Sequence, residues 1–296
     1  MQRNIVPFFL LSLILIFAGC LHQDTLSRAI ESSTMRVLKV YVLDVGQGDS
    51  IFIITPNRHT ILIDGGLEGN GKLILSYLKK EQVMKLDYII ATHPHPDHIG
   101  GLVEVINSIP VGRIYVNGET ETSEENTNFM NAAKKYDILV MHRGDNITLD
   151  SVHFIALNPS DTPQKFNSND NSIVIKITYG AENILLMGDC GIDCEQDILN
   201  AGFDVHAQIL KVGHHGSKST SSQVFLDAVR PKEVIISVGA GNEYGHPVQE
   251  ILDRLRLCCR VYRTDIDGTI TVEVTAVSYS ITSEKSYILS LFYTIV

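Results

Sequence analysis

The sequence predicts an α+β fold in which two β-rich halves with interspersed helices form two sheets packed face to face, helices outside. Three observations carry this. Period-two apolar patterning recurs in both halves, and helical segments fall between the strands. The chain of 296 residues, 44% hydrophobic, can bury one large core or two small ones. No low-complexity linker divides it, so one domain behind an N-terminal signal is expected.

Residues 36–43 alternate (Val37, Leu38, Val40 and Val42 among polar neighbours), and 50–55 and 60–64 are β-rich on either side of Pro56-Asn57-Arg58. Antiparallel strands follow from that pattern. Gly69-Asn70-Gly71 opens a helix over 70–82, carried by Leu73, Leu75, Tyr77 and Leu78. A strand over 87–91, a helix over 98–107, a strand over 113–116 and a helix over 124–135 come next. The second β-rich block begins near Ile138 and has strands over 152–157, 172–179 and 183–187. Helices near 192–200, 220–229 and 247–256 then alternate with strands over 206–212, 233–238 and 259–263. Asp267-Gly268 predicts a hairpin turn into a strand over 269–274. Residues 276–296, apolar at 287–291, remain unassigned beyond an extra strand or edge cover.

The chemistry concentrates in Thr92-His93-Pro94-His95-Pro96-Asp97-His98, directly after the apolar run Tyr88-Ile89-Ile90-Ala91. Imidazole and carboxylate are the ligand types for Zn²⁺ and its first-row relatives, and this one loop offers up to four donors. Alternate residues of an extended segment project the same way, so His93 and His95 can grip one ion. Asp97 and His98 lie past the turn and can reach a second ion beside it. Pro94 and Pro96 narrow the backbone freedom of the loop.

Those residues resemble the metallo-β-lactamase superfamily. Further stretches narrow the likeness to the extracytoplasmic hydrolase domain of ComEC-type competence proteins: Leu43-Asp44-Val45-Gly46-Gln47-Gly48-Asp49-Ser50, Ile61-Leu62-Ile63-Asp64-Gly65-Gly66, Leu186-Met187-Gly188-Asp189, Lys211-Val212-Gly213-His214-His215-Gly216-Ser217 and Tyr244-Gly245-His246-Pro247. The similarity runs over residues 36–275, in the expected order, and the chain reads as a stand-alone relative without the membrane-channel part. The fold implied is the four-layer αββα sandwich.

The resemblance also implies a ligand set. His93 and His95 hold a first metal, Asp97 and His98 a second, and Asp189 bridges both. One of His214 and His215 completes the second site; His215 is favoured because it precedes Gly216. The other histidine can donate to a substrate oxyanion or protonate a leaving group. Asp97, His214 and Lys218 are therefore the candidate catalytic residues, with Lys211 and Lys218 as cations near a phosphodiester. Asp64 is expected to orient a ligand histidine from behind. Asp44, Gln47 and Asp49 are candidates for the pocket floor, and Asn171 for a supporting or substrate contact. Ser217 either tightens its turn or touches substrate, and His246 is either a substrate contact or a structural histidine.

One departure stands out. The superfamily pattern supplies a further histidine between the first loop and the bridging aspartate, as the third ligand of the first metal. Only His142 and His153 lie in that interval, and the expected place holds Asn167-Ser168-Asn169-Asp170-Asn171-Ser172. The first site is thus expected to be under-ligated, completed by water or Asp170, and more receptive to Mn²⁺ than an all-histidine cage. Two divalent ions, Zn²⁺ or Mn²⁺, are the cofactors expected.

Arg3, the apolar run over 5–17 and Ala18-Gly19-Cys20 predict an export signal over 1–19. Phe17-Ala18-Gly19-Cys20 resembles a lipobox, with phenylalanine in place of the usual leucine, which makes Cys20 the lipid-bearing mature N-terminus. An ordinary cleaved signal and an uncleaved anchor are the alternatives, and all three place the domain outside the cytoplasm. Residues 20–35 read as a tether to the membrane. Export permits disulfides, and Cys190, Cys194, Cys258 and Cys259 allow three pairings, which the sequence does not choose between. Cys190 and Cys194 become neighbours if 191–200 is helical. A Cys190 thiolate near the metal is the alternative to a structural thiol.

The expected activity is hydrolysis of a phosphodiester by metal-activated water, with extracellular DNA as the substrate the resemblance suggests. The net charge of −10 counts against a non-specific nucleic-acid binder. A surface phosphoesterase on a smaller phosphodiester, and a non-catalytic metal-containing binding lipoprotein, are the rival readings. No protein partner is inferred.

Overall fold

Strands buried on both faces read as unbroken apolar runs, and Ile51-Phe52-Ile53-Ile54 and Thr60-Ile61-Leu62-Ile63 are buried at every position. The computed structural model describes residues 36–161 and 167–286. The signal over 1–19, the tether over 20–35 with Cys20, and the apolar run at 287–291 lie outside the described residues.

The first sheet is built on β1 (Leu38–Val42), β2 (Ile51–Ile54) and β3 (Thr60–Ile63), which pair antiparallel. After helix α1 (Gly71–Lys80), β4 (Leu86–Ala91), β5 (Val111–Val116) and β6 (Asp137–Val140) continue it in parallel. Helices α2 (Pro96–Ile99) and α3 (Leu102–Ser108) separate β4 from β5, and α4 (Glu124–Ala133) separates β5 from β6. The second sheet takes β7 (Asn146–Leu149), β8 (Val152–Asn158), β9 (Val174–Tyr179) and β10 (Glu182–Leu186) in antiparallel pairs. It ends in parallel β11 (Ile209–Lys211), β12 (Glu233–Ile236) and β13 (Arg260–Arg263), connected through α5 (Ile192–Asn200), α6 (Gln223–Val229) and α7 (Gln249–Arg256).

Side-chain alternation sorts the core into layers. Val40, Val42, Ile51, Ile53, Ile61 and Ile63 of the first sheet pack with Ile175, Ile177, Ile184, Leu186, Ile209 and Ile235 of the second. Their neighbours Tyr41, Phe52, Leu62 and Ile89 turn the other way, onto Ile74, Leu78, Leu102 and Phe129 of the helices. On the far side, Val174, Leu185, Leu210 and Val234 meet Ile198, Phe225, Ile251 and Leu255. The result is the expected helix–sheet–sheet–helix sandwich.

The structure corrects the element assignment in three places. The helix expected over 98–107 is two, α2 and α3, broken at Gly100-Gly101. A Cβ on Gly101 would stand 2.1 Å from the Gly65 carbonyl oxygen, so the glycine pair lets this segment pass against the loop after β3. Ile138 lies in β6, which edges the first sheet and does not open the second. Asp267-Gly268 makes no hairpin: a short helix α8 (Thr264–Asp267) ends there, and the chain crosses from β13 in the second sheet to β14 (Ile270–Val274) in the first. The hairpin comes later, between β14 and β15 (Tyr279–Ser283), which edges the first sheet opposite β6. No helix among the described residues is long and apolar enough to cross a membrane.

Helix α5 brings Cys190 and Cys194 together as a buried disulfide with Cα atoms 5.5 Å apart, while Cys258 and Cys259 are free. This excludes Cys190 as a thiolate ligand. A loop this short restricts the unfolded chain modestly, by about 2 kcal/mol. Replacing both residues by alanine is expected to lower the unfolding free energy by about that amount in denaturant titration. A loss near zero would show that the bridge is not formed in the folded protein.

Candidate metal centre

The C-terminal ends of β3, β4, β10 and β11 converge, and each delivers part of the site. Asp64 follows β3 in a left-handed conformation (φ 58) that aspartate tolerates better than most residues. Its carboxylate accepts from the Thr92 backbone N–H at 2.8 Å and the Thr92 hydroxyl at 2.7 Å. It also accepts from His98 Nδ1 at 2.8 Å, which fixes the ring with Nε2 facing inward. His215 is fixed in the same manner, by donating from Nδ1 to the Ser237 carbonyl at 3.0 Å. His93 Nδ1 lies 3.1 Å from the Thr92 hydroxyl and 3.2 Å from that of Ser172. His93 Nε2 is left 3.1 Å from His95 Nδ1.

Asp189, after β10, lies among these rings and is 2% exposed. Its Oδ1 stands 3.3 Å from His98 Nε2 and 3.5 Å from His215 Nε2. Its Oδ2 stands 3.9 Å from His93 Nε2 and 3.9 Å from His214 Nε2. Asp97 closes the Oδ1 side, with Oδ2 3.3 Å from His215 Nε2. Gly188 turns the chain here at φ +53, with its carbonyl taking hydrogen bonds from the His214 N–H and from Lys211 Nζ, both at 3.1 Å.

The donor set fits divalent metal. His98 Nε2, His215 Nε2 and Asp189 Oδ1 are buried without a hydrogen-bond partner. Such orphans cost about 1–3 kcal/mol each, and these three face one another. Asp97, His98 and His215 form one group, and His93, His98 and Asp189 another, each with ligand atoms within 4.8 Å. A third group, Asp49 with Asp64 and His98, is already committed: Asp64 to Thr92 and His98, Asp49 to Lys211. Burial alone would raise Asp97 and Asp189, but His215 and His98 hold both well below the usual carboxylate range. Burial, helped by His98, pushes His93 well down, so it is neutral. Burial would also lower His98, but Asp189 and Asp64 carry it well above the ordinary imidazole value. Ionised carboxylates and the neutral His93 are in the form that binds a metal, while His98 and His215, both raised by the carboxylates, would give up their Nε2 protons to join them.

The remaining candidates divide. Gln47, Asn169, Tyr244 and His246 line a cleft of about 280 Å³ together with His95, Asp97, Asp189, His214 and His215. Ser217 bonds Ser219 and the turn itself, its N–H donating to the His214 carbonyl at 2.9 Å. Asp49 is buried against Lys211. Several expectations need correction. Lys211 is 1% exposed and is spent on Asp49 and Gly188, so it offers no charge to a substrate. Lys218 is exposed and does not line the cleft. Asp44 lines a separate groove with Tyr77, Lys80 and Glu284. Asn171 bonds Glu119 at 2.6 Å, whereas Asp170, which accepts from the Gly191 N–H at 2.7 Å and from Asn167 at 2.8 Å, lines a neighbouring cavity with Asn169, Asp189 and His214. His142 sits near Asp161 and His153 bonds Thr148, both outside the cluster.

Thr92, Ser172 and Asn169 support the site, yet sequence reasoning gives none of them a role. Thr92 adjoins His93, which is a usable signal. Ser172 lies 79 positions from His93, and only the fold pairs them.

A four-layer sandwich with a histidine–aspartate cluster at converging strand ends defines a class of metal-centre proteins, and the pattern of the metallo-beta-lactamase superfamily matches residues 43–240. The chain belongs to the metallo-β-lactamase superfamily. Within it, the chain is 31% identical over 252 residues to ComE operon protein 3 of Bacillus subtilis (strain 168), covering 78% of this chain and 32% of that protein. It is 31% identical over 233 residues to Competence protein ComA of Neisseria gonorrhoeae, covering 78% and 31%. The chain thus spans about a third of the length of these ComEC-like relatives. In fold it is similar to the metallo-beta-lactamase fold protein YhfI from Bacillus subtilis (TM-score 0.53, 13% identity, 83% and 99% covered). Tm1679, a metal-dependent hydrolase of the beta-lactamase superfamily, is similar in the same sense (TM-score 0.52, 12% identity, 84% and 100% covered).

Lys211 and Asp49 form a buried ion pair under the site. Removing one partner of such a pair leaves an uncompensated charge at a cost of about 3–5 kcal/mol. Lys211→Met is expected to destabilise the protein by that amount in thermal or denaturant unfolding. A change below about 1 kcal/mol would show that Asp49 finds other compensation.

Proposed function

We propose that this protein is an extracytoplasmic, two-metal phosphodiesterase. The observation that carries the reading is Asp189, a buried ionised carboxylate with one oxygen toward His98 and His215 and the other toward His93. His93 and His95 would hold one ion, Asp97, His98 and His215 the other, and Asp189 the space between. A pair of dications held there would supply activated water and neutralise charge on an in-line displacement.

The protein's own part is positioning. Asp64 and the Ser237 carbonyl lock His98 and His215 into the tautomers whose Nε2 atoms face the site. Burial, with the nearby His214 and His215, lowers His246, which is therefore neutral and keeps a buried Nδ1 without a partner beside the cleft. A neutral imidazole there donates a hydrogen bond to a substrate oxygen. Tyr244, 62% exposed, stacks on His246 with ring centroids 5.7 Å apart and offers a flat apolar face at the cleft. Such a face suits a nucleobase, which favours a nucleotide-bearing phosphodiester and DNA among the substrates. The net charge of −10 favours the second reading, a smaller phosphodiester. Activity of the purified protein on single-stranded DNA, double-stranded DNA and bis-p-nitrophenyl phosphate, with Mn²⁺ or Zn²⁺, separates the two.

Export and anchoring through Cys20 belong to the same proposal. The apolar run ending in Ala18-Gly19-Cys20 supports it, as does a buried disulfide, which persists in oxidising compartments.

Asp189→Ala is expected to reduce phosphodiesterase turnover more than about 100-fold, beyond the loss typical of residues that only orient ligands, with an unchanged circular dichroism spectrum. Turnover within a few-fold of wild type under metal-replete conditions would remove Asp189 from the site. Cys20→Ala is expected to leave the signal uncleaved and abolish lipidation. Unchanged processing and an unmodified mature mass in the wild type would refute the anchor.

A further inference from the structure

His214 and His215 are adjacent in a 3-10 turn over Gly213–Gly216, and both take left-handed backbone conformations (φ 43 and 54). Non-glycine residues held there cost about 1–3 kcal/mol each and persist only where the surroundings enforce them. Here the His214 N–H is tied to Gly188 and its carbonyl to Ser217. The consequence is that neighbouring side chains reach opposite oxygens of one carboxylate. His215 goes to Asp189 Oδ1, and His214 places Nε2 3.9 Å from Oδ2, the oxygen His93 also meets at 3.9 Å.

Two bonds of about 2.1 Å to one ion span at most about 4.2 Å, so this spacing allows His214 and Asp189 to share an ion. The Oδ2 side is also where a third protein ligand is wanting. His142 and His153 are elsewhere, Asp170 carries a hydrogen bond on each carboxylate oxygen, and the interval 99–188 holds no other histidine. Asn169, in that interval, lies against the His214 ring, its amide nitrogen nearly equidistant from Nε2 (3.4 Å) and Nδ1 (3.5 Å) and so committed to neither. We propose that His214 is the third protein ligand of the first ion, joining His93 and His95 in place of the histidine the superfamily draws from 99–188. This rests on the two-ion reading above. His214 is 27% exposed at its side chain against 1% for His215, so this shell opens to solvent and should hold its ion more weakly.

The test is calorimetric titration of Mn²⁺ into metal-stripped protein, repeated for His214→Ala, His214→Asn and His215→Ala. Asparagine tolerates the left-handed backbone and keeps the variant foldable, which melting curves verify. Wild type should bind two ions in two affinity classes. Both His214 variants should weaken the looser class at least about tenfold and leave the tighter one intact, while His215→Ala should weaken the tighter. With Co²⁺, the visible absorption of the looser site should change on loss of the imidazole. His214 variants that keep both classes at wild-type affinity overturn the proposal, even if turnover is lost, since His214 would then serve the substrate. A wild type that takes up a single ion overturns the two-ion reading and this proposal with it.

Discussion

The site depends on keeping one carboxylate, Asp189, ionised while it is 2% exposed. Burying such a charge is expensive unless opposite charge and hydrogen bonds surround it. Histidines supply the opposite charge, with His98 and His215 on one oxygen and His93 toward the other. The Ser172 hydroxyl, accepting the Asp189 backbone N–H at 3.0 Å, and Lys211, donating to the Gly188 carbonyl, hold the backbone that aims the carboxylate. The Gly188 turn then sets the direction: a Cβ at that position would stand 2.9 Å from that of Ser172. The disulfide adjoining Asp189 ties the same turn to α5.

The two sheets explain why the ligands meet. Parallel pairing of β3 with β4 and of β10 with β11 brings four chain exits to a common edge. Asp64, the 92–98 loop, Asp189 and the histidine turn leave from those exits. Gly48 keeps the first sheet close to this edge, since a Cβ on it would lie 2.1 Å from the Asp97 carbonyl oxygen. Asp49 can then reach Lys211 across the sheets, and a buried ion pair joins the two halves under the ligands.

The sandwich and most members of the histidine–aspartate cluster are legible in the sequence because both are local signals. Apolar alternation reports strands, and His93 to His98 fall within one loop. What is not legible depends on long-range packing. Lys211 beside a histidine pair reads as a substrate cation until Asp49, 162 positions away, is found against it. Asp44 and Asp49 share one motif, yet one faces a separate groove and the other the site. Asp267-Gly268 has hairpin chemistry, but α8 consumes it and the chain changes sheets there.

The two sides of Asp189 are chemically unequal, and the inequality follows from the fold. On the Oδ1 side, His98 and His215 are fully enclosed and each is locked from behind by Asp64 or Ser237. On the Oδ2 side, His93 is enclosed, but His95 and His214 line the cleft and are less confined. Enclosed ligands with fixed partners lose little freedom when a metal binds, whereas ligands in a cleft must be ordered as it arrives. Asp189 therefore stands between a rigid set of side chains and an adaptable one. The adaptable set is the one that opens to the cleft, where His246 and Tyr244 also stand.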